Sequence, residues 1–412
     1  MKVLHLSQND YLTGAARAAY RLHRGLGKLH VESVMIVDHK VTSDRHVIGP
    51  RGDRPPLRTR LRRKAAHTIL RYQKSSNRVL HSLNCFPSGL HRVINAMSVD
   101  VIHLHWIHDE MISIREIALI RKPLVWTFHD TWAFCGAEHV LPLQNYSRPW
   151  DGYTRENRSV ADRGVDLDRW VWRQKRRFWR QISVQVVTPS NWLKHQVTAS
   201  RLFRDHPIHV IPNPIDTDVY CPGDRQTARR ELSLPTEKTL LGVFHISEQD
   251  AIHKGRAILM DALSILVAQI PDWKLVVMGG GTTDQYSGLS PKILQFNHSD
   301  KSLVKFYRAL DVFILPSMMD NLPNTAVESL ACGTPVVAFR IGGIPDIIDN
   351  KKNGYLAQPG NPVDLVRGIR WTLDNRDRLS AGAQEKAIRV FRSTVVAKQF
   401  ENLYQQVRNE YD

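Results

Sequence analysis

Two carboxylates eight positions apart, Asp320 and Glu328, bracket a polar loop and the start of a short helix. The loop, Pro316-Ser317-Met318-Met319-Asp320-Asn321-Leu322-Pro323-Asn324-Thr325, follows an apolar run at 311–315. The helix expected at 326–332 is stopped by Gly333, and a further apolar run occupies 335–339. A helix N-terminus at that place offers unpaired backbone N–H groups to anionic oxygens. Glu328 has a second reading: Thr325-Ala326-Val327-Glu328 fits a capping box, in which the glutamate satisfies a backbone N–H of its own helix. The pattern leaves cap and ligand contact both open. Asp320, taken alone, reads equally as a solvated loop residue.

Other residues able to do chemistry also follow apolar runs. His129, followed by Asp130, closes the run at 124–128. His103 and His105 end the run at 101–105, and their alternation puts both on one strand face, as packing residues or on the acceptor side. Three such histidines raise the question of a metal, but no carboxylate or cysteine spacing completes a ligand set. Lys254 stands just before Gly255, at the start of a helix. Gly14 precedes another helix, where a glycine lets the backbone approach a phosphate. By themselves Lys254 and Gly14 read as well as a solvated cation and a turn.

The elements that must position these residues alternate regularly. Candidate strands lie at 3–7, 31–38, 101–105, 124–128, 184–188 and 209–211, then at 240–246, 274–278, 311–315, 335–339 and 354–356. Helical periodicity fills the gaps; Ala18, Leu22, Leu26 and Leu29 form one stripe. Strands that read as continuous apolar runs, separated by helices, predict parallel sheets covered on both faces. Prolines and turn formers cluster from Pro212-Asn213-Pro214 to Pro222-Gly223, giving two α/β halves. Ligands of such sheets bind outside the carboxyl ends of the strands, where the candidates fall. Residues 140–165 read as an irregular insertion.

The 412 residues suit two domains, and no run approaches the ~18 apolar residues of a membrane span. Residues 1–7 read as a first strand rather than a secretory signal. Four scattered cysteines predict neither zinc site nor disulfide framework, and a cytoplasmic, reducing compartment. The net charge of +17 implies an anionic partner. Residues 51–80 carry ten Lys or Arg against one Asp, and 170–180 add five more with no acid.

The segment 320–337, with Asp320 and Glu328 ahead of Gly333-Thr334-Pro335-Val336-Val337, resembles the signature of family 4 glycosyltransferases. The resemblance implies the GT-B fold: two Rossmann-like doubly wound domains facing a central cleft. They would be 1–217, acceptor-side, and 218–392, donor-binding, with a C-terminal helix at about 393–412 packing back on the first. It is strongest at 311–346 and extends to 1–35, 101–136 and 184–216; exopolysaccharide enzymes of the colanic-acid and amylovoran type are most similar. It implies that Asp320 lies near the donor sugar, although the family usually has Glu there. Glu328 would accept from the nucleotide ribose, with Asn324 and Thr325 beside it in the donor site. Gly14 and Lys254 would meet the donor diphosphate. The family's additional Arg is missing from Ser247-Glu248-Gln249-Asp250, leaving Arg256 as a possible helper. His129 would reach the donor sugar, with His105 and Asp130 on the acceptor side.

The resemblance further implies a retaining, metal-independent transfer from a nucleotide-sugar, which is substrate rather than cofactor, to a saccharide or lipid-linked saccharide. No residue stands out as a covalent nucleophile. A sugar-nucleotide epimerase of the same fold is an alternative that would need no acceptor. A nucleic-acid binder is another, suggested by Trp170, Trp172, Phe178 and Trp179 among arginines. Arg173, Arg176, Arg177 and Arg180 share one helical face, which a solvated or a lipid-facing helix explains equally well; the preferred reading is an anionic membrane surface on the inner side of the plasma membrane.

Overall fold

The computed structural model describes residues 1–50, 56–142, 146–247, 251–279, 282–286, 288–296 and 299–411. The chain divides into two units, one of Met1–Pro212 with Val396–Asp412 and one of Asn213–Val395.

The first unit is built on a seven-stranded parallel sheet. Its strands are β1 (Lys2–Asn9), β2 (Glu32–His39), β3 (Val47–Ile48), β5 (Val101–Leu104), β6 (Leu124–Thr127), β8 (Gln185–Thr188) and β9 (Ile208–Val210). They are ordered β3-β2-β1-β5-β6-β8-β9. Between them, β4 (Gln73–Lys74) and β7 (Arg163–Gly164) form a separate antiparallel pair. The expected amphipathic stripe becomes the helix Gly14–Lys28, in which Ala18, Leu22 and Leu26 are buried. Thr13 caps it by accepting from the Ala16 amide. Leu22 and Leu26 join Val3, Val101, Val125 and Val187 in a core that Val396, Phe400, Leu403 and Tyr404 complete. Those four belong to the helix Ser393–Tyr411, which therefore packs on the first unit.

The second unit has six parallel strands: β10 (Thr239–Phe244), β11 (Trp273–Met278), β12 (Lys292–Leu294), β13 (Val312–Leu315), β14 (Val336–Phe339) and β15 (Gly354–Ala357), ordered β12-β11-β10-β13-β14-β15. Hydrophobic clusters line both faces of the sheet, which is why its strands read as unbroken apolar runs. The edge strands β3 and β12, of two and three residues, and the β4–β7 pair had no clear sequence signal. Among the described residues no helix is long and apolar enough to cross a membrane.

Candidate functional site

In the second unit the candidate residues meet at the carboxyl ends of β10, β13 and β14, three adjacent strands. After β10 the chain reaches Gly255, which caps the helix Arg256–Val267 with φ 67°. A Cβ at Gly255 would stand 2.0 Å from the Pro316 carbonyl oxygen, so only glycine lets this loop close on the one after β13. The Met318 and Met319 amides donate to the His253 carbonyl at 2.7 and 3.2 Å. The result is an ion pair: Lys254 Nζ lies 2.6 Å from Asp320 Oδ2, which also accepts from Ser317 Oγ at 3.2 Å. Residues 248–250, part of the stretch lacking the family's additional Arg, lie outside the described residues.

A third loop fixes Asp320 from below. The Gly343 amide donates to the Asp320 carbonyl at 3.0 Å. Gly342 has φ 54°, and a Cβ there would sit 2.0 Å from the same oxygen. This Gly342-Gly343 pair after β14 was not singled out from the sequence. Its adjacency to a strand end was the available signal.

The helix here is Asn324–Ala331, with Pro323 at its N-cap and no side-chain cap hydrogen bond. Thr325 is thus already inside the helix, and the capping box does not form. The proline, locked near φ −65°, starts the helix two residues before the expected place. Glu328 is 2% exposed and accepts from Tyr307 Oη at 2.9 Å. Burial, with the Glu328 charge adding to it, holds the Tyr307 phenol well above its ordinary range, so this bond keeps its proton on the tyrosine. Asn324 Oδ1 accepts from Asn213 Nδ2 at 3.1 Å, tying the proline-rich turn to the same helix end. Thr325 is half-buried beside it.

In the first unit, β1, β5 and β6 are adjacent, and they carry the other candidates. Gly14 is the exposed first residue of its helix, just beyond the carboxyl end of β1. His105 and His129 follow β5 and β6, with His105 Nδ1 3.2 Å from His129 Nε2. His105 Nε2 lies 3.0 Å from Nδ1 of His5, a buried residue of β1 that sequence reasoning passed over. Burial, opposed by the Asp130 charge, lowers His129 to about 4; burial likewise pushes His5 and His105 well below the ordinary histidine range. His103 is buried, between Tyr404 Oη at 2.6 Å and Thr127 Oγ1 at 2.7 Å. Asp130 accepts from Trp106 Nε1 (2.8 Å) and the Trp132 amide (3.0 Å), and is 2.6 Å from His139 Nδ1. Burial alone would raise its carboxyl; His139, His108 and these hydrogen bonds instead hold it well below the usual carboxylate range. Asp130 is therefore an ionised clamp that fixes the corner after β6.

The histidines group differently from the three considered in the sequence, His103, His105 and His129. Asp130 stands with His108 and His139, their ligating atoms all within 4.8 Å, and His5, His103 and His105 form a second such group. The sequence concealed both because their members come from different loops and strands. Most of these atoms have other partners: His139 Nε2 lies 2.8 Å from Ser82 Oγ, and both His103 nitrogens face hydroxyls.

The basic stretch at 170–180 also differs from expectation. In the helix Leu167–Phe178 and its following turn, Trp172 and Trp179 are buried, as is Lys175. Lys175 Nζ donates to the Trp132, Cys135 and Gly136 carbonyls and sits 3.5 Å from the Trp132 ring centre. Burial lowers it to about 7. Trp170 stays exposed, as do Arg173, Arg176, Arg177 and Arg180, which with Arg201 line a groove. In the stretch 51–80, residues 51–55 lie outside the described residues. The helix Leu57–Leu70 exposes Arg58, Arg60 and Lys64, whereas Arg63 is bound to Asp38 and Asp109.

Comparison with known proteins matches the two units to two family models. Residues 12–219 match Glycosyltransferase Family 4, and residues 224–389 match Glycosyl transferases group 1. The chain is 30% identical over 198 residues to the D-inositol 3-phosphate glycosyltransferase of Geodermatophilus obscurus, covering 43% of each. It is 31% identical over 194 residues to the enzyme of the same name from Corynebacterium jeikeium, covering 42% of this chain and 46% of that one. The match thus spans about half the length of the curated relatives. Among solved structures, sucrose-phosphate synthase from Thermosynechococcus elongatus superposes with a TM-score of 0.68 at 16% identity, covering 99% of both chains. Anabaena HepE in complex with UDP and glucose superposes with a TM-score of 0.63 at 18% identity, covering 98% of this chain and 99% of that one. The fold is GT-B, with two Rossmann-like parallel-sheet domains.

Proposed function

Because the chain belongs to Glycosyltransferase Family 4, we propose that it moves a hexosyl group from a nucleoside-diphosphate sugar to a hydroxyl acceptor, retaining the anomeric configuration without a metal or other cofactor. The observation that carries this reading is the Lys254–Asp320 pair at the carboxyl edge of the second sheet, beside the Glu328 helix. It sets one cation for a diphosphate next to one carboxylate for sugar hydroxyls. Glu328 serves the ribose hydroxyls, with Asn324 and Thr325 at the open end of the helix. Gly14 offers its backbone to the diphosphate, and His129 serves the sugar, with His105 and Asp130 behind it. In the step itself the acceptor oxygen bonds to the anomeric carbon as the bond to the diphosphate breaks. The acceptor proton passes to the departing diphosphate oxygen, on the same face. Lys254 and backbone N–H groups stabilise the charge that develops.

The acceptor in this reading is a saccharide or lipid-linked saccharide of a bacterial exopolysaccharide or other cell-surface glycan. Support comes from the arginine-lined groove and from the exposed Leu57 and Leu61, one turn apart among Arg58, Arg60 and Lys64. Apolar side chains set in a basic helix suit an anionic bilayer surface; of the tryptophans behind the nucleic-acid reading, Trp172 and Trp179 are buried and only Trp170 stays exposed for stacking. The protein would then work peripherally on the cytoplasmic face of the plasma membrane.

A thermal-shift panel of UDP-, GDP-, ADP- and dTDP-sugars, followed by NMR of the product's anomeric centre, tests the reaction. We expect one nucleotide class to stabilise the protein and the product to keep the donor's configuration. Stabilisation by none, or an inverted product, would overturn it. Conversion of the donor without any acceptor would favour an epimerase. For the membrane reading, reversing Arg173, Arg176, Arg177 and Arg180 to Glu should abolish sedimentation with anionic vesicles at low salt. Equal binding to neutral vesicles would reject it.

A further inference from the structure

His5, His105 and His129 form a chain of two hydrogen bonds across three adjacent strands. His5 Nδ1 faces His105 Nε2 at 3.0 Å, and His105 Nδ1 faces His129 Nε2 at 3.2 Å. The three rings stack in sequence, at centroid separations of 5.3 and 5.5 Å. A neutral imidazole has one N–H and one bare nitrogen, and burial keeps all three rings neutral at neutral pH. His105 has only one proton to give, so both bonds must point the same way. In one direction His129 donates to His105 and His105 to His5. His5 must then carry its own proton on Nε2, a buried atom with no hydrogen-bond partner. In the other direction His5 donates from Nδ1, His105 donates from Nδ1, and His5 Nε2 is merely an unused acceptor. Orphaned buried donors are the rarer and costlier case.

We propose that His5 and His105 are positioning residues that fix the tautomer of His129, placing its proton on Nδ1 and making it a hydrogen-bond donor rather than a base. Its Nε2 lone pair is occupied by the His105 proton, so neither ring nitrogen can take a proton from the acceptor hydroxyl. The same-face transfer, in which the departing diphosphate takes that proton, then needs no protein base. The aligned donor instead holds a hydroxyl of the sugar. His103 stands 4.0 Å from His105 by ring centres but outside this chain, since its two nitrogens face Tyr404 and Thr127.

The kinetic arm of the test rests on the transferase reading; the spectroscopic arm does not. In the full chain labelled with 15N-histidine, long-range 1H–15N spectra at pH about 7 report which nitrogen of His129 carries the proton. His129→Asn supplies the assignment by difference. We expect the Nδ1–H form; a proton on Nε2 overturns the proposal whether or not transfer is observed. His5→Phe keeps a ring but removes the donor, and should leave His129 in mixed tautomers and lower kcat about ten-fold with little change in donor KM. His5→Asn, whose amide nitrogen can occupy the Nδ1 position, should restore both. His5→Phe with His129 still wholly in the Nδ1–H form would overturn the relay. If His5→Phe does not fold, the wild-type spectrum and His5→Asn still decide. A failed donor panel with the expected spectrum would reject the transferase reading and leave the relay intact.

Discussion

Lys254 and Asp320 are 66 positions apart, yet their charged atoms are 2.6 Å apart. Lys254 is 42% exposed and Asp320 15%, and a pair this close to solvent contributes little to folding. Lys254→Met should therefore weaken nucleotide-sugar binding by about ten-fold or more, while costing at most about 1 kcal/mol of stability. Calorimetric titration and thermal melting separate the two effects. Glu328→Gln keeps an acceptor for Tyr307 Oη and so should preserve the fold while weakening nucleotide binding. His129→Ala should mainly cut turnover; wild-type kinetics in both variants would remove these roles. Both carboxylates were legible in the sequence because their surrounding segment is so distinctive. The capping box was a misreading of local pattern: Pro323 starts the helix earlier than Thr325 could. His5 was invisible because its importance arises from strand pairing, which sets it opposite His103.

At the scale of elements, three loops converge on Asp320, and glycine is what lets them. Gly342→Ala would place a methyl 2.0 Å from the Asp320 carbonyl while imposing a φ of 54° on a residue with a Cβ. We expect a loss of roughly 1–3 kcal/mol in stability together with reduced donor affinity, measured by denaturant melts and nucleotide titration. Unchanged values in both would show the loop to be slack. The central strands were readable as apolar runs, with ends displaced by only a residue or two. Edge strands such as β3 and β12 were not, because so few residues carry too little periodicity. Lys175 shows the converse limit. A basic run reads as surface, and only the packed turn reveals three carbonyls waiting for one ammonium.

At the scale of the molecule, the first unit holds an unusual number of buried neutral histidines. His23 and His129 are lowered to about 4, and His5, His103, His105 and His108 well below 6.5, chiefly by burial. Unfolding frees them to take up protons near 6.5. Between pH 6.5 and 4 the unfolded chain thus binds more protons, and stability must fall as pH falls. His23 and His129 alone would remove about 2 kcal/mol each at pH about 5. We expect the first unit's melting temperature to drop by roughly 10 °C between pH about 7 and 5. A flat profile over that window would mean these rings are solvated or already charged.

The helix Ser393–Tyr411 gives the first unit a share in the far end of the chain. During synthesis, Val3, Leu22 and Val101 emerge long before Val396, Phe400 and Tyr404 exist to cover them. The second unit, continuous from Asn213 to Val395, lies wholly between those two pieces along the chain. The earlier-made half waits with an unfinished core, and its His103 without Tyr404, until residues 396–404 have been made. The unit begun first thus lacks part of its core until every residue of the second has been made.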